Sequence, residues 1–130
     1  MRITVFTANQ IRHNYFINLL SKVASELFVI QESRSIFPGT TDNHYPKSNI
    51  IKDYFLKVNS SERKLFDTKY ISGNHNNINL LPMTEGDLKN CSLEFLKDFL
   101  KSDLYIVFGS SFIKGDLIDF LIKKKAINIH

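Results

Sequence analysis

The chain has 130 residues, of which 43% are hydrophobic and 23% charged, with 11 Phe and 5 Tyr; that is enough for one domain, residues 1–130, with a core of its own. No apolar run approaches the roughly 18 to 20 residues that span a bilayer, and Met1-Arg2 leads into a short apolar stretch without a cleavage site, so no membrane contact is expected and the expected location is cytoplasmic. The net charge is +4, but the one tight basic run, Lys123-Lys124-Lys125, falls at a predicted helix end. Cations complement the helix dipole there, so the run is read as a solvated terminus. The single cysteine, Cys91, cannot form an internal disulfide, and no Cys/His zinc pattern exists, so no metal is expected. Cys91 is expected as a small apolar or helix-start residue, not a reactive thiol.

In chain order, Ile3 to Thr7 is short, apolar and β-branched and predicts a buried strand. Ala8 to Arg12 reads as a loop. His13 to Ser25 carries Tyr15, Phe16, Leu19, Leu20, Val23 and Ala24 at a spacing that puts all six on one helix face. Leu27 to Ile30 is a second strand. Ser33 to Ser48 is a loop by its Ser, Thr, Gly, Pro and Asn content. Ile50 to Ile71 reads as helix, with a break expected at Asn59-Ser60-Ser61-Glu62. Gly73 to Asn77 is a turn cluster, and Ile78 to Leu81 a short strand. Ser92 to Lys101 is a helix, with Ser92 as its N-cap. Leu104 to Phe108 is the strongest strand, apolar on both faces, which suits the interior of a parallel sheet. A helix over Lys114–Lys124 and a strand from Ala126 to His130 follow. Strands alternating with helices predict an α/β fold, a Rossmann-like three-layer sandwich with a mostly parallel sheet. The last predicted strand reaches the last residue, which leads to the expectation of a truncated chain.

Ligands of open parallel sheets bind outside the carboxyl ends of the strands. The relevant ends are Thr7-Ala8-Asn9, Gln31-Glu32, Phe108-Gly109-Ser110-Ser111 and Asn128-Ile129-His130. Neither a Gly-x-Gly-x-x-Gly turn nor a Walker loop is present, which argues against a standard nucleotide site. In the last triplet, Asn128 and His130 are two apart on a strand and point to one face. A carboxamide and an imidazole side by side suit acyl transfer, in which one donates to a developing oxyanion and the other handles a proton. The chain has 12 Asn and 4 His, so spacing alone leaves chance occurrence open. His13 and Asn9 are weaker candidates for substrate contact; Asn9 serves equally well as a helix cap. His44 and His75 lie in polar loops.

Taken together, Asp103 to Ile113 (DLYIVFGSSFI), then Leu117-Ile118, then Ala126 to His130 (AINIH) resemble the folate-dependent formyltransferases. This family includes methionyl-tRNA formyltransferase, glycinamide ribonucleotide transformylase and the sugar N-formyltransferases. Its pattern is an acidic residue opening an apolar strand, an aromatic-Gly loop, a helix, and a strand ending in Asn-x-His. Arg2 to Leu20 is similar to the family's first strand and helix, and Arg12-His13-x-Tyr15-Phe16 to a subgroup that modifies amino sugars. The resemblance implies the N-terminal, folate-binding subdomain of such an enzyme, with 10-formyltetrahydrofolate as cosubstrate. It implies that Phe108, Gly109, Ser110, Ser111, Phe112 and Ile113 hold the pterin, largely through backbone groups. It also implies that Asn128 polarises the formyl oxygen, while His130 stabilises the tetrahedral intermediate and assists proton transfer. The family continues beyond the histidine with an Arg-Gly segment and a catalytic aspartate. Because these do not follow here, the 130-residue chain alone is expected to be inactive and to belong to a longer enzyme.

The expected acceptor is a primary amine on a small molecule, with an amino-sugar nucleotide favoured. A methionyl-tRNA formyltransferase-like enzyme is the alternative, but the loop Ser33–Ser48 holds only Arg34 and Lys47 as cations, too few for a tRNA-reading loop, so nucleic acid is disfavoured. A catalytically inactive Rossmann-like folate- or nucleotide-binding module is the third reading. Assembly as a homodimer is left open.

Overall fold

The computed structural model describes residues 1–33, 48–66, 70–71 and 76–129. Strand β1 (Arg2–Ala8) is buried without interruption from Ile3 to Thr7, the pattern of a strand covered on both faces. It pairs in parallel with β2 (Glu26–Ser33) on one side and β4 (Leu104–Phe108) on the other. β3 (Ile78–Thr84) lies outside β2, and β5 (Ile127–Ile129) outside β4. The five-stranded sheet is wholly parallel, in the order β3-β2-β1-β4-β5. With its helices, this is the Rossmann-like α/β layering expected from the alternation.

Alternation along the strands divides the core. Ile3 and Val5 of β1, Leu27 and Val29 of β2 and Ile106 of β4 pack on one face with Ile17 of helix α1 (Ile11–Leu20). Phe6, Ile30 and Tyr105 point to the other face. They meet Leu88, Leu96 of α3 (Leu93–Leu96), Ile113, and Leu117 and Leu121 of α4 (Asp116–Lys123). At the amino edge, Asp103 joins the strands: its carboxylate accepts the Arg2 N–H at 2.8 Å, and its own N–H donates to the Arg2 carbonyl at 3.0 Å. The acidic residue that opens β4 thus extends the pairing of β1 and β4.

Several boundaries differ from the sequence reading. α1 starts at Ile11, two residues early, and its buried residues include His13, Asn14 and Asn18, while Leu19 is 42% and Val23 70% exposed. The helix is rotated relative to its apolar pattern, and its two inward asparagines are satisfied from other parts of the chain. Asn14 Oδ1 accepts from Gln31 Nε2 at 2.8 Å, and Asn18 Nδ2 donates to the Tyr70 carbonyl at 3.2 Å; burial of such groups is tolerated when they are bonded. Helix α2 (Asn49–Leu65) runs through Asn59–Glu62 unbroken. Glu62 pairs there with Arg12 of α1 at 2.5 Å, which holds the expected break inside the helix. β3 is longer than read and accommodates Pro82, which an edge strand permits. Ser92 does cap its helix, but regular α-helix ends at Leu96 and a 3₁₀ turn (Lys97–Phe99) follows. α4 closes with Lys125 at φ 54°, its N–H on the Ile122 carbonyl and that of Ala126 on the Leu121 carbonyl, a Schellman ending. The predicted loop Ser33–Ser48 lies outside the described residues over 34–47, as do His44, His75 and His130. Among the described residues, no helix is long and apolar enough to cross a membrane.

The layers differ sharply in their stake in stability. Leu117 is 1% exposed, whereas Ile50 on α2 is 82% exposed. Leu117→Ala is expected to lower unfolding free energy by about 2–5 kcal/mol, and Ile50→Ala by no more than about 0.5 kcal/mol, in urea titrations followed by circular dichroism.

Candidate functional site

The chain steps outward from β1 to β2 to β3, then returns to the other side of β1 as β4. The connections leaving β1 and β4 at their carboxyl ends therefore diverge from adjacent strands, and such a reversal opens the crevice in which ligands of this sheet type bind. One wall is Asn9-Gln10, leading into α1. The other is the segment Gly109 to Gly115, leading into α4.

His13 is buried beneath this second wall. It is 1% exposed, and its ring meets Phe108 edge-on at 4.6 Å between centroids. Gly109, at φ +74°, lies directly over it, so close that a Cβ there would stand 2.3 Å from His13 Nε2. Glycine is required at this position both for its backbone angle and for the imidazole beneath it. Both ring nitrogens of His13 are buried and lack a hydrogen-bond partner among the described residues. Burial, with the Arg12 cation adding to it, pulls the His13 pKa from 6.5 to about 4, so the ring is neutral at physiological pH.

A polar layer continues beside it. Gln31 Nε2 donates to the Ala8 carbonyl at 3.1 Å as well as to Asn14, tying the end of β2 to the end of β1. Thr7 Oγ1 donates to the Phe108 carbonyl at 2.8 Å, tying β1 to β4. Glu32, 1% exposed, accepts from the Ser111 N–H at 2.6 Å, the Ser111 hydroxyl at 2.8 Å and the Gly86 N–H at 2.8 Å.

The residues singled out in the sequence fall around this crevice in different ways. Phe108 lies half-buried between the rings of His13 and Phe16. Ser110 Oγ donates to the Ser111 carbonyl at 3.2 Å. Phe112 is 80% exposed, and Ile113 is buried in the core under α4. Asn9 is half-buried, and its carbonyl accepts from Asn14 Nδ2 at 3.4 Å. Asn128 is exposed on β5, opposite Val107 in register, and Ile129 lies opposite Phe108. β5 therefore ends at the same edge as the Gly109 turn. Ile129 packs on the α1 face, so by alternation Asn128 belongs to the α4 face.

Sequence reasoning missed Glu32 and Gln31, which read only as a strand end. The signal was present: two polar residues closing a run of buried apolar ones, at the edge where parallel sheets bind ligands. Cys91 is half-buried, and burial, reinforced by the Asp87 and Glu32 charges, pushes its thiol pKa up, so it is no ready nucleophile. Among the described residues, no group of three or more His, Cys, Asp or Glu could hold a metal ion. A concavity of about 430 Å³ at the amino edge involves Arg2, Ser25, Asn77 and Asn79. Its amides already serve the fold: Asn77 Nδ2 bonds the Ser21 and Ala24 carbonyls, and Asn79 Nδ2 bonds Glu26.

Two outcomes are expected. Gly109→Ala destabilises by about 2 kcal/mol or more from backbone strain and steric conflict, and the loss shrinks in a His13→Ala background, as a double-mutant cycle of melts measures. For His13, the unfolded chain holds the extra proton between pH 6.5 and about 4. The stability contributed by its neutral ring is complete above pH 6.5 and is lost as pH falls toward about 4, a total of about 3 kcal/mol. His13→Gln is expected to flatten this part of the stability–pH curve; an unchanged slope between pH 7 and 5 would refute it. No protein-family model, curated protein or solved structure matches the chain.

Proposed function

We propose that this domain binds 10-formyltetrahydrofolate at the β1/β4 crevice and serves formyl transfer to a primary amine, with an amino-sugar nucleotide as the favoured acceptor. The observation that carries the reading is the register of β5 on β4. It brings Asn128, one residue from the end of β5, to the edge where the Gly109 turn leaves β4. The crevice chemistry also fits a flat heterocycle rich in donors and acceptors. One wall is a glycine turn without a Cβ, seated on the His13 imidazole. Phe108 to Ser110 and Phe112 are the turn residues that would hold the ring. Ile113 belongs to the core, and the Ser111 N–H is taken by Glu32.

When bound, the folate supplies a formyl group activated on nitrogen. The amine attacks the formyl carbon, the new C–N bond replaces the bond to the folate nitrogen, and the proton lost by the amine passes to the departing nitrogen. Asn128 donates its amide N–H to the formyl oxygen as negative charge grows there, and His130 carries the proton.

The test assays the whole protein encoded by the gene with 10-formyltetrahydrofolate against a panel of amino-sugar nucleotides and aminoacylated tRNA. Asn128→Ala is expected to lower kcat by about 100- to 1000-fold, the loss typical of one oxyanion donor, and His130→Ala to reduce turnover comparably. Folate binding without transfer to any amine would replace the enzyme reading with that of a binding module.

A further inference from the structure

We propose that Glu32 is a positioning residue of this site: its buried carboxylate holds the Gly109–Ser111 turn in the form that receives the folate ring, and couples it to the turn at Gly86. The inference rests on the folate reading for its ligand but not for its geometry.

An ionised carboxylate is costly to bury unless its lone pairs are filled. Glu32 fills them with uncharged donors among the described residues. The Ser111 N–H binds Oε2 at 2.6 Å, while the Gly86 N–H and the Ser111 hydroxyl bind Oε1, each at 2.8 Å. The Leu88 N–H lies at 3.5 Å from Oε1, a marginal fourth donor. The two strong backbone donors thus fall on different oxygens. A carboxylate accepts at both, whereas an amide of the same shape has one acceptor and one donor end. Glutamine would therefore confront either Gly86 or Ser111 with an N–H facing an N–H, whichever way it turned.

The segment these bonds fix is short and functional by position. Gly109 is seated on His13 with no room for a Cβ, and two residues later Ser111 is held by Glu32 through both backbone and side chain. The backbone of Gly109 and Ser110 is thus presented between two fixed points. A turn fixed in advance avoids the ordering cost of binding. Neither pin is needed to close the sheet, since β1, β2 and β4 pair along their own lengths.

The experiment uses the whole protein as wild type, Glu32→Gln, Ser111→Ala and Ser111→Thr. It reads hydrogen exchange at Ser111 and the Kd for 5-formyltetrahydrofolate, a formyl-folate probe. Glu32→Gln is expected to speed Ser111 exchange and raise the Kd by about tenfold or more, as for loss of a hydrogen bond to a charged group, with β1 and β4 amides unchanged. Ser111→Ala is expected to weaken binding less, and Ser111→Thr, which keeps the hydroxyl, to restore it. Unchanged Ser111 exchange in Glu32→Gln overturns the proposal, as does a loosened turn with unchanged Kd. If Glu32→Gln fails to fold, the Ser111 pair decides: equal Kd values for Ala and Thr overturn it. A wild type that does not bind the probe sinks the folate reading alone, and Ser111 exchange then still decides whether Glu32 sets the turn.

Discussion

The arrangement depends on β1 being hydrogen-bonded on both sides. A strand so placed has no solvent face, so each of its side chains must find a partner within the layers. Ile3 and Val5 meet α1 and its neighbours, Phe6 meets the α3–α4 layer, and Thr4 and Thr7 use their hydroxyls to bind carbonyls of the chain segments beside them. Because β2 and β4 flank β1, their carboxyl ends arrive next to its own, which makes a shared site there feasible. The reversal of strand order then sends the two following connections apart. The crevice is a result of topology before it is a result of any particular side chain.

The polar residues at that edge follow from the same constraint. Strands that end together bring their final side chains together, and at the ends of β1, β2 and β4 these include Thr7, Gln31, Glu32 and Phe108. Polar groups that lose water must be bonded. The structure meets this by cross-tying strand ends: Gln31 to Ala8, Thr7 to Phe108 and Glu32 to Ser111. His13 is the exception: among the described residues no group fills its two buried ring nitrogens.

Much of this architecture was legible in the sequence. The β2 and β4 runs are apolar without interruption and β1 departs from this only at its threonines, which belongs to buried parallel strands, and Ser92 announced its helix. The helix facing of α1 was not legible. Apolar periodicity placed Leu19 and Val23 inward, but the inward face holds His13, Asn14 and Asn18, and the two asparagines are satisfied by Gln31 and Tyr70, residues far off in sequence. The continuity of α2 was hidden for a similar reason. Asn59-Ser60-Ser61 looks like a break by propensity, yet Glu62 is held by Arg12 of another helix. Propensity is a weak prior against such tertiary contacts. At the site, the Gly109 turn could be located from sequence, but the residues beneath and behind it could not, because pattern reading has no view of distance across a sheet.

The bond between Glu32 and Ser111 joins residues 79 apart in the chain. Closing so long a loop carries a large entropy cost that only the intervening strands and helices offset, and contacts of this range slow folding. The first β–α–β unit can close on local contacts, but the turn over the crevice cannot take its final shape until β4 has docked against β1. Ordering of that turn therefore reports late steps of assembly: a nascent chain can possess most of its sheet and still lack the shaped turn at its carboxyl edge.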